Sequence, residues 1–281
     1  MKLVTINTHS LIEENYPEKL EHFIDFVRRE TPDLIAMQEV NQSIYAPICD
    51  NPPSGFSPSP KCVTPIRNDN HALQAAVRLH ANRLPYYWTW LPVKLGYERY
   101  DEGLAIFSKK PITDIDVFYI SSFQDYQYWK TRQILGVKVA GCEDWFYTVH
   151  MGWWDDEEDP FQNQWERFKN HFEAKNHSYN TWLLGDFNSP SEVRNEGYDL
   201  VKKSGYFDTY LLAQTKDDGI TVEGIIDGWK DKLENCDASK GMRIDHIWCK
   251  HQTSVRSSLV VFNGQKEPII SDHFGVMIET D

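Results

Sequence analysis

An α/β fold follows from three features of the 281-residue chain. Short apolar runs of strand length alternate with stretches of helical periodicity. The runs stop at acids or amides: Leu3 to Ile6 at Asn7, Leu34 to Met37 at Gln38-Glu39, and Trp182 to Leu184 at Gly185-Asp186-Phe187-Asn188. No internal repeat or low-complexity tract interrupts the alternation. Strand–helix–strand units of this kind collect their strand-end residues along one sheet edge. Read locally, they point to an open, parallel sheet.

The elements can be justified in order. Leu3 to Ile6 is a short buried strand. Pro17 opens a helix in which Leu20, Phe23, Ile24 and Val27 share a face, and Pro32 ends it. Residues 42–70 hold Pro47, Pro52, Pro53, Pro58, Pro60 and Pro65, which block regular structure and predict a long surface loop, either part of a binding face or decoration. Leu73, Ala76, Val77 and Leu84 follow helical spacing, and Tyr86 to Trp90 is strand-like. Tyr100-Asp101-Glu102 places acids directly before a strand; Ile112 to Tyr119 and Gln133 to Val139 are two more strands, with Arg132 at the entrance to the second. Trp145 to Val149 is a strand ending at His150, the acidic run Asp155 to Asp159 is a solvated loop, and Phe161 to Ala174 is a helix. After Asn188, Ser189 reads as an N-cap, Pro190 as the first helical residue and Glu192 as the return partner of a capping box. Asp208, Arg243 to Trp248, and Ser271 to Gly275 before a last strand complete the series.

Composition narrows the class. The length allows one large domain or two small ones, and the unbroken motif order favours one, 1–281. A hydrophobic content of 41% with 14% aromatic residues is ample for a packed interior. The net charge of −13 argues against a nucleic-acid partner held by long-range attraction to phosphates. Five cysteines, Cys49, Cys62, Cys142, Cys236 and Cys249, form no close pair, so free thiols are expected. Met1 to Asn7 turns polar before a leader could form, and no run approaches membrane-spanning length. The expectation is a cytoplasmic protein without a membrane or an obligate protein partner.

Chemistry can be read from residue types. Asn7, Glu39, Glu102, Asp186, Asn188, Asp245 and Asp272 are oxygen donors, His150 and His273 supply imidazoles, and Arg132 is a fixed cation. Hard oxygen ligands without a cysteine set favour Mg²⁺ or Mn²⁺ over Zn²⁺. Such a set suits phosphoryl transfer to water, with positive groups stabilising the equatorial oxygens. Singly, each residue has a plainer reading: a turn-stabilising Asp, a structural histidine, a surface arginine.

In combination they resemble the endonuclease/exonuclease/phosphatase superfamily of metal-dependent phosphoesterases. The matching pieces are Ile6-Asn7-Thr8, Met37-Gln38-Glu39-Val40, Asp101 to Ile106, Thr131-Arg132-Gln133, Val149-His150-Met151, Gly185 to Asn188, Arg243 to Ile247 and Ser271 to Phe274. They run through essentially the whole chain. The resemblance implies a four-layer α-β-β-α sandwich of two mostly antiparallel sheets. It also implies roles: Glu39, helped by Asn7, and Asp272 at the metal; Asp186 on the attacking water; Asn188 on the transition state; His273, oriented by Asp245, and His150 on the phosphoryl oxygens; Arg132 on the phosphate; Glu102 supporting a histidine.

Substrate choice lies outside those pieces. Trp153 and Trp154, with Tyr97, Tyr100 and Trp129, are aromatic faces available to stack on a sugar, a base or an acyl chain. Asn7-Thr8-His9-Ser10 with Glu13-Glu14, and His150 to Trp154 followed by Phe161 to Trp165, are similar to the bacterial branch acting on maltose 6'-phosphate. The resemblance therefore implies a phosphomonoesterase taking a small phosphorylated carbohydrate; a phosphodiesterase acting on nucleic acid or a phospholipid head group is the alternative.

Overall fold

Strand alternation organises the molecule, because successive side chains of a strand face opposite sides. In the computed structural model, which describes residues 1–281 except 61, 176–178, 225, 227–228 and 230–240, Leu3 joins the aliphatic layer between two sheets while Val4 and Ile6 face outward. One sheet has seven strands and the other six.

The strands in chain order are β1 Lys2–Asn7, β2 Leu34–Ser43, β3 Tyr87–Gly96, β4 Tyr100–Ser108, β5 Ile112–Tyr119, β6 Gln133–Val139, β7 Trp145–His150, β8 Thr181–Asp186, β9 Phe207–Asp208, β10 Thr215–Lys216, β11 Asp245–Cys249, β12 Val255–Val261 and β13 Gly275–Thr280. The helices are α1 Tyr16–Glu30, α2 His71–Ala81, α3 Phe161–Lys175, α4 Gly197–Lys203 and α5 Thr209–Leu212. The first sheet runs β10-β12-β13-β1-β2-β4-β3 and the second β5-β6-β7-β8-β11-β9. Among the described residues, the strand pairs that run parallel are β1 with β2, β7 with β8 and β10 with β12. The open parallel sheet is thereby corrected to a four-layer sandwich. The local pattern misled because two of the parallel pairs are the crossover units around α1 and α3, whereas β3–β4 and β5–β6 are antiparallel neighbours in the sequence.

Each layer has its own apolar filling. Leu20, Phe23, Ile24 and Val27 of α1 and Leu73, Ala76 and Leu79 of α2 cover the outer face of the first sheet. Phe161, Trp165 and Phe168 of α3, with Tyr198 and Val201 of α4, cover the second. Between the sheets lie Leu34, Ala36, Leu104 and Ile106 from one side and Leu135, Val137, Phe146, Trp182, Leu184 and Ile247 from the other.

At one edge the inter-sheet layer turns polar, and strand parity decides which residues join it. Leu3, Thr5 and Asn7 share the inner face of β1; Phe146, Thr148 and His150 share that of β7; Trp182, Leu184 and Asp186 that of β8. Gln38 ties the sheets together there: its Nε2 donates to Thr148 Oγ1 at 2.7 Å, and Thr5 Oγ1 donates to its Oε1 at 3.4 Å.

Several local expectations need correction. No helix starts at Pro190: residues 191–196 are turns, α4 begins at Gly197, and Ser189 Oγ accepts from Tyr198 N at 2.9 Å, capping α4 across the turn. Glu192 accepts from Ser191 Oγ instead of closing a capping box. The acids Asp101 and Glu102 lie inside β4, not before it. The 42–70 segment starts as the end of β2, and among its described residues the remainder carries isolated bridges, Ile48 with Arg67 and Phe56 with Trp88. Gln42 anchors it, accepting from Arg67 N at 2.9 Å and donating to Pro65 O at 2.9 Å. Cys49, Cys62, Cys142 and Cys249 are free, and Cys236 lies outside the described residues. Among the described residues no helix is long and apolar enough to cross a membrane.

Gly185 sits where β8 meets β7, with φ +152° and a site at which a Cβ would approach Val149 O to 2.0 Å. Gly185→Ala must displace a central strand. It is expected to lower unfolding stability by about 2 kcal/mol or more, read from urea midpoints; an unchanged midpoint would show that the β7–β8 contact yields freely.

Candidate active site

Asp186 is the meeting point of the polar edge. Asn7 Nδ2 donates to its Oδ2 at 3.3 Å and to Glu39 Oε1 at 2.9 Å. His150 Nε2 stands 3.6 Å from Asp186 Oδ2 and 4.0 Å from Glu39 Oε1. His273 Nε2 stands 3.9 Å from the same Asp186 oxygen, while its Nδ1 is hydrogen-bonded to Asp245 Oδ2 at 2.9 Å. Asp186 Oδ1 accepts from Asn188 N at 2.8 Å.

Two backbone irregularities aim side chains here. The pairing of β2 with β4 slips between Met37 and Val40, and Glu39 adopts φ +52°. A bulge of this kind redirects a side chain at a local cost. Ser10 Oγ and Thr8 Oγ1 hold it by donating to Glu39 O at 2.8 and 3.1 Å. Asn188, at φ +45°, donates from Nδ2 to Met151 O at 2.9 Å and accepts from Trp229 Nε1 at 3.0 Å.

These groups open onto a cavity of about 340 Å³. Glu39, Asp186 and His273 line it together with His150 and Asn188; Lys94, Glu102 and Arg132 also line it, and Tyr97, Trp129 and Trp153 are its aromatic members. Lys94 Nζ pairs with Glu102 Oε1 at 3.0 Å. Buried Arg132 donates from one guanidinium nitrogen to Trp129 O at 3.1 Å and Thr131 O at 3.3 Å. Trp129 and Tyr97 are about half exposed, at 50% and 49%, whereas Trp153 is buried with its ring centroid 6.0 Å from that of Trp129.

Burial and neighbouring charge reset the proton affinities. Burial pushes Asp186 up to about 7, against the opposing pull of His273 and with Asp245 adding to the rise. Burial likewise raises Glu39, reinforced by Glu102 and Asp272. Burial opposes charge on His273, yet Asp245 outweighs it and the ring rises to about 10. His150 goes the other way: burial, then Arg132 and Lys94, hold it well below the ordinary histidine value. The two imidazoles are thus distinct, one cationic and one neutral.

A hard divalent cation fits the acid side of this cavity. Glu39 has no Lys or Arg partner within salt-bridge distance among the described residues, while Glu102 and Asp272 press negative charge upon it. The carboxylates of Glu39 and Asp272 are hard oxygen donors, the chemistry Mg²⁺ and Mn²⁺ prefer, with the imidazoles of His150 and His9 beside them. Asp186, Asp245 and His273 also gather closely enough to hold an ion. The hydrogen bond between His273 Nδ1 and Asp245 competes with that arrangement, so the Glu39 side is the better seat.

The structure separates the sequence-nominated residues. Glu39, Glu102, Arg132, His150, Trp153, Asp186, Asn188 and His273 line one cavity; Asn7 lies beneath it and Asp245 behind His273. Asp272 flanks it, 3.7 Å from His9 Nδ1. Asn7 turns its NH₂ toward Glu39 and Asp186, as two unneutralised carboxylates demand, so its Oδ1 would reach a cation only with the amide reversed. Glu102 pairs with Lys94 and, among the described residues, reaches neither histidine, because the two are direct cross-strand partners. Trp154 does not line the cavity; it packs toward Phe161 at 6.4 Å between ring centroids. Tyr100 is buried against Arg99 instead. Sequence reading missed Lys94, although an ionised residue within the apolar run Trp88 to Leu95 was a usable signal.

Comparison with known proteins agrees with this fold. Residues 4–273 match the model of the Endonuclease/Exonuclease/phosphatase family. No curated protein matches the sequence. Among solved structures, an endonuclease/exonuclease/phosphatase family protein from Leptotrichia buccalis C-1013-b is 30% identical, with a TM-score of 0.85 over 100% of this chain and 99% of that one. A mannosyl-6-phosphatase from Bacteroides thetaiotaomicron VPI-5482 is 16% identical with a TM-score of 0.65 over 100% and 99% of the two chains. A 3' phosphatase from Neisseria bound to product DNA hairpin is 18% identical with a TM-score of 0.63 over 100% and 99%. At those identities the last two show a shared fold.

The His273–Asp245 pair makes a prediction for the metal-free protein. By NMR the His273 ring should stay protonated until about pH 10, and Asp245→Asn should return its titration toward the ordinary histidine range. A wild-type ring that titrates near 6.5 contradicts the pairing.

Proposed function

Because the chain belongs to the endonuclease/exonuclease/phosphatase family, whose members are phosphoesterases that generally depend on a divalent metal ion, we propose that it is a Mg²⁺-dependent phosphomonoesterase acting on a phosphorylated sugar of the maltose 6'-phosphate type. One observation carries this reading: a small cavity lined together by the acids Glu39 and Asp186, the cations Lys94 and Arg132, and the aromatic rings of Tyr97, Trp129 and Trp153. Its volume of about 340 Å³ lies in the range of small-ligand pockets. Trp129 and Tyr97 offer faces on which a sugar ring can stack. The net charge of −13 supports a small ligand over a long polyanion.

The residues divide the work as follows. Glu39 and Asp272, with Asn7, would hold the cation, which supplies Lewis-acid neutralisation of the phosphoryl oxygens when bound. Asp186, with a proton affinity near neutrality, orients the attacking water and takes its proton. Asn188 fixes Asp186 through its backbone N–H. His273, kept cationic by Asp245, and neutral His150 both approach the same Asp186 oxygen. They serve the phosphoryl oxygens around that water, one by charge and one by hydrogen bonding. Arg132 binds the phosphate from the opposite wall. Trp153 supports Trp129 at the mouth, which takes the sugar.

A phosphodiesterase acting on nucleic acid or a phospholipid head group is the second reading; the 3' phosphatase that shares the fold is bound to a DNA product, which favours nucleic acid as that substrate. With Mg²⁺ the protein should release phosphate from a panel of sugar phosphates, lose that activity in EDTA and regain it on Mg²⁺ addition. Plasmid nicking without monoester turnover would reverse the order of the two readings.

Asp186→Asn separates catalysis from folding. Turnover should fall about 10²–10⁴-fold, the typical contribution of a positioned base. Since the folded carboxyl ionises only at about 7, against 3.8 for the ordinary group, its burial weakens the metal-free fold as pH rises through that window. The variant should therefore match wild type in stability only below pH 3.8 and exceed it increasingly from pH 5 to pH 8. Wild-type turnover in the variant removes Asp186 from the mechanism.

A further inference from the structure

Lys94 stands where an ammonium is costly. It lies between Val93 and Leu95 in β3, its side chain is 8% exposed, and Val93 belongs to the apolar layer between the sheets. Burying a charge there requires a compensating partner. Glu102, directly opposite on β4, is that partner at 3.0 Å. The pairing register of β3 and β4 shifts between Pro92 and Lys94, which redirects the strand at this point. Gly96 makes room for the carboxylate, since a Cβ there would come within 2.6 Å of Glu102 Oε2.

A purely structural ion pair would leave this wall neutral, and it is not neutral. Arg132 lines the same wall without an ion pair within 4.0 Å among the described residues, and its buried Nε has no hydrogen-bond partner. Two cations line the cavity, and the one carboxylate in ion-pair contact with them among the described residues, Glu102, is paired with Lys94. Lys94 keeps donors beyond the one given to Glu102, because an ammonium carries three. Both cations share the cavity with Glu39 and Asp186.

We propose that Lys94 makes the site selective for phosphate monoesters over diesters, an inference that rests on the phosphatase reading. A monoester carries close to two negative charges at neutral pH and three terminal oxygens, whereas a diester carries one charge and a second ester arm. Arg132 and Lys94 together match the dianion. For a diester, one cation is left without its anion and the additional arm meets the ammonium. Glu102 is a positioning residue that holds Lys94 in place.

The test compares p-nitrophenyl phosphate with bis(p-nitrophenyl) phosphate, with inorganic phosphate as inhibitor, in the Mg²⁺-loaded protein. Lys94→Met should lower the monoester-to-diester ratio of kcat/KM at least about 10-fold, the scale of a lost charge-assisted hydrogen bond. It should weaken inhibition by inorganic phosphate by a similar factor, and Lys94→Arg should restore much of both. If Lys94→Met fails to fold because Glu102 is left unpaired, the double variant Lys94→Met/Glu102→Gln, which buries no orphan charge, is read in the same way. An unchanged ratio, or equal losses on both substrates, overturns the role of Lys94 while leaving the phosphatase reading intact. A wild-type protein that turns over only the diester overturns both.

Discussion

The contact on which the site depends is the face-to-face packing of two sheets whose shared layer changes from aliphatic to polar over a few residues. Leu3, Leu34, Leu184 and Phe146 fill that layer. Then Gln38 joins Thr5 to Thr148 across the gap. One step further along the same strands, Asn7, Asp186 and His150 meet. Period-two alternation makes this convergence automatic: whatever holds Leu184 in the core also aims Asp186 into the layer beyond it. Gln38 matters because its amide satisfies hydroxyls of both sheets, fixing their separation where catalytic distances are set.

Electrostatics follow from that burial. Packing Asp186, Asp245 and Glu39 into one edge raises the cost of ionising them together, and the protein answers in three ways. His273 takes a proton and pairs with Asp245. Asn7 lends its NH₂ to Glu39 and Asp186. The remaining negative potential is left for a cation. Lys94 and Arg132 bring positive charge to the same cavity. A phosphate ester bound as proposed would offset it.

Much of this was legible in the sequence. Acids and amides at strand ends announced a shared edge, and Asn7, Glu39 and Asp186 meet on it. The illegible parts have particular causes. Glu39 belongs to the site through a bulge at φ +52°, which no alternation rule foresees. Ser189 caps a helix, but α4, reached after a turn that local capping patterns do not encode. Trp153 and Trp154 look equivalent in sequence; alternate positions sent one to the cavity and the other toward Phe161. The family resemblance gave Glu102 the support of a histidine; its pairing with Lys94 becomes visible only once β3 is in register with β4. Sheet direction escaped local reading as well, since an apolar strand carries no mark of whether its neighbour runs parallel or antiparallel.

The most direct test is a crystal of the protein soaked with Mn²⁺ and vanadate, with the ion located by its anomalous signal. The account predicts one peak coordinated by Glu39 on the Asp272 side, with vanadium between Asp186 and His273 on one face and Lys94 and Arg132 on the other. A peak seated on Asp245 and His273, or vanadate bound away from Asp186, would contradict it.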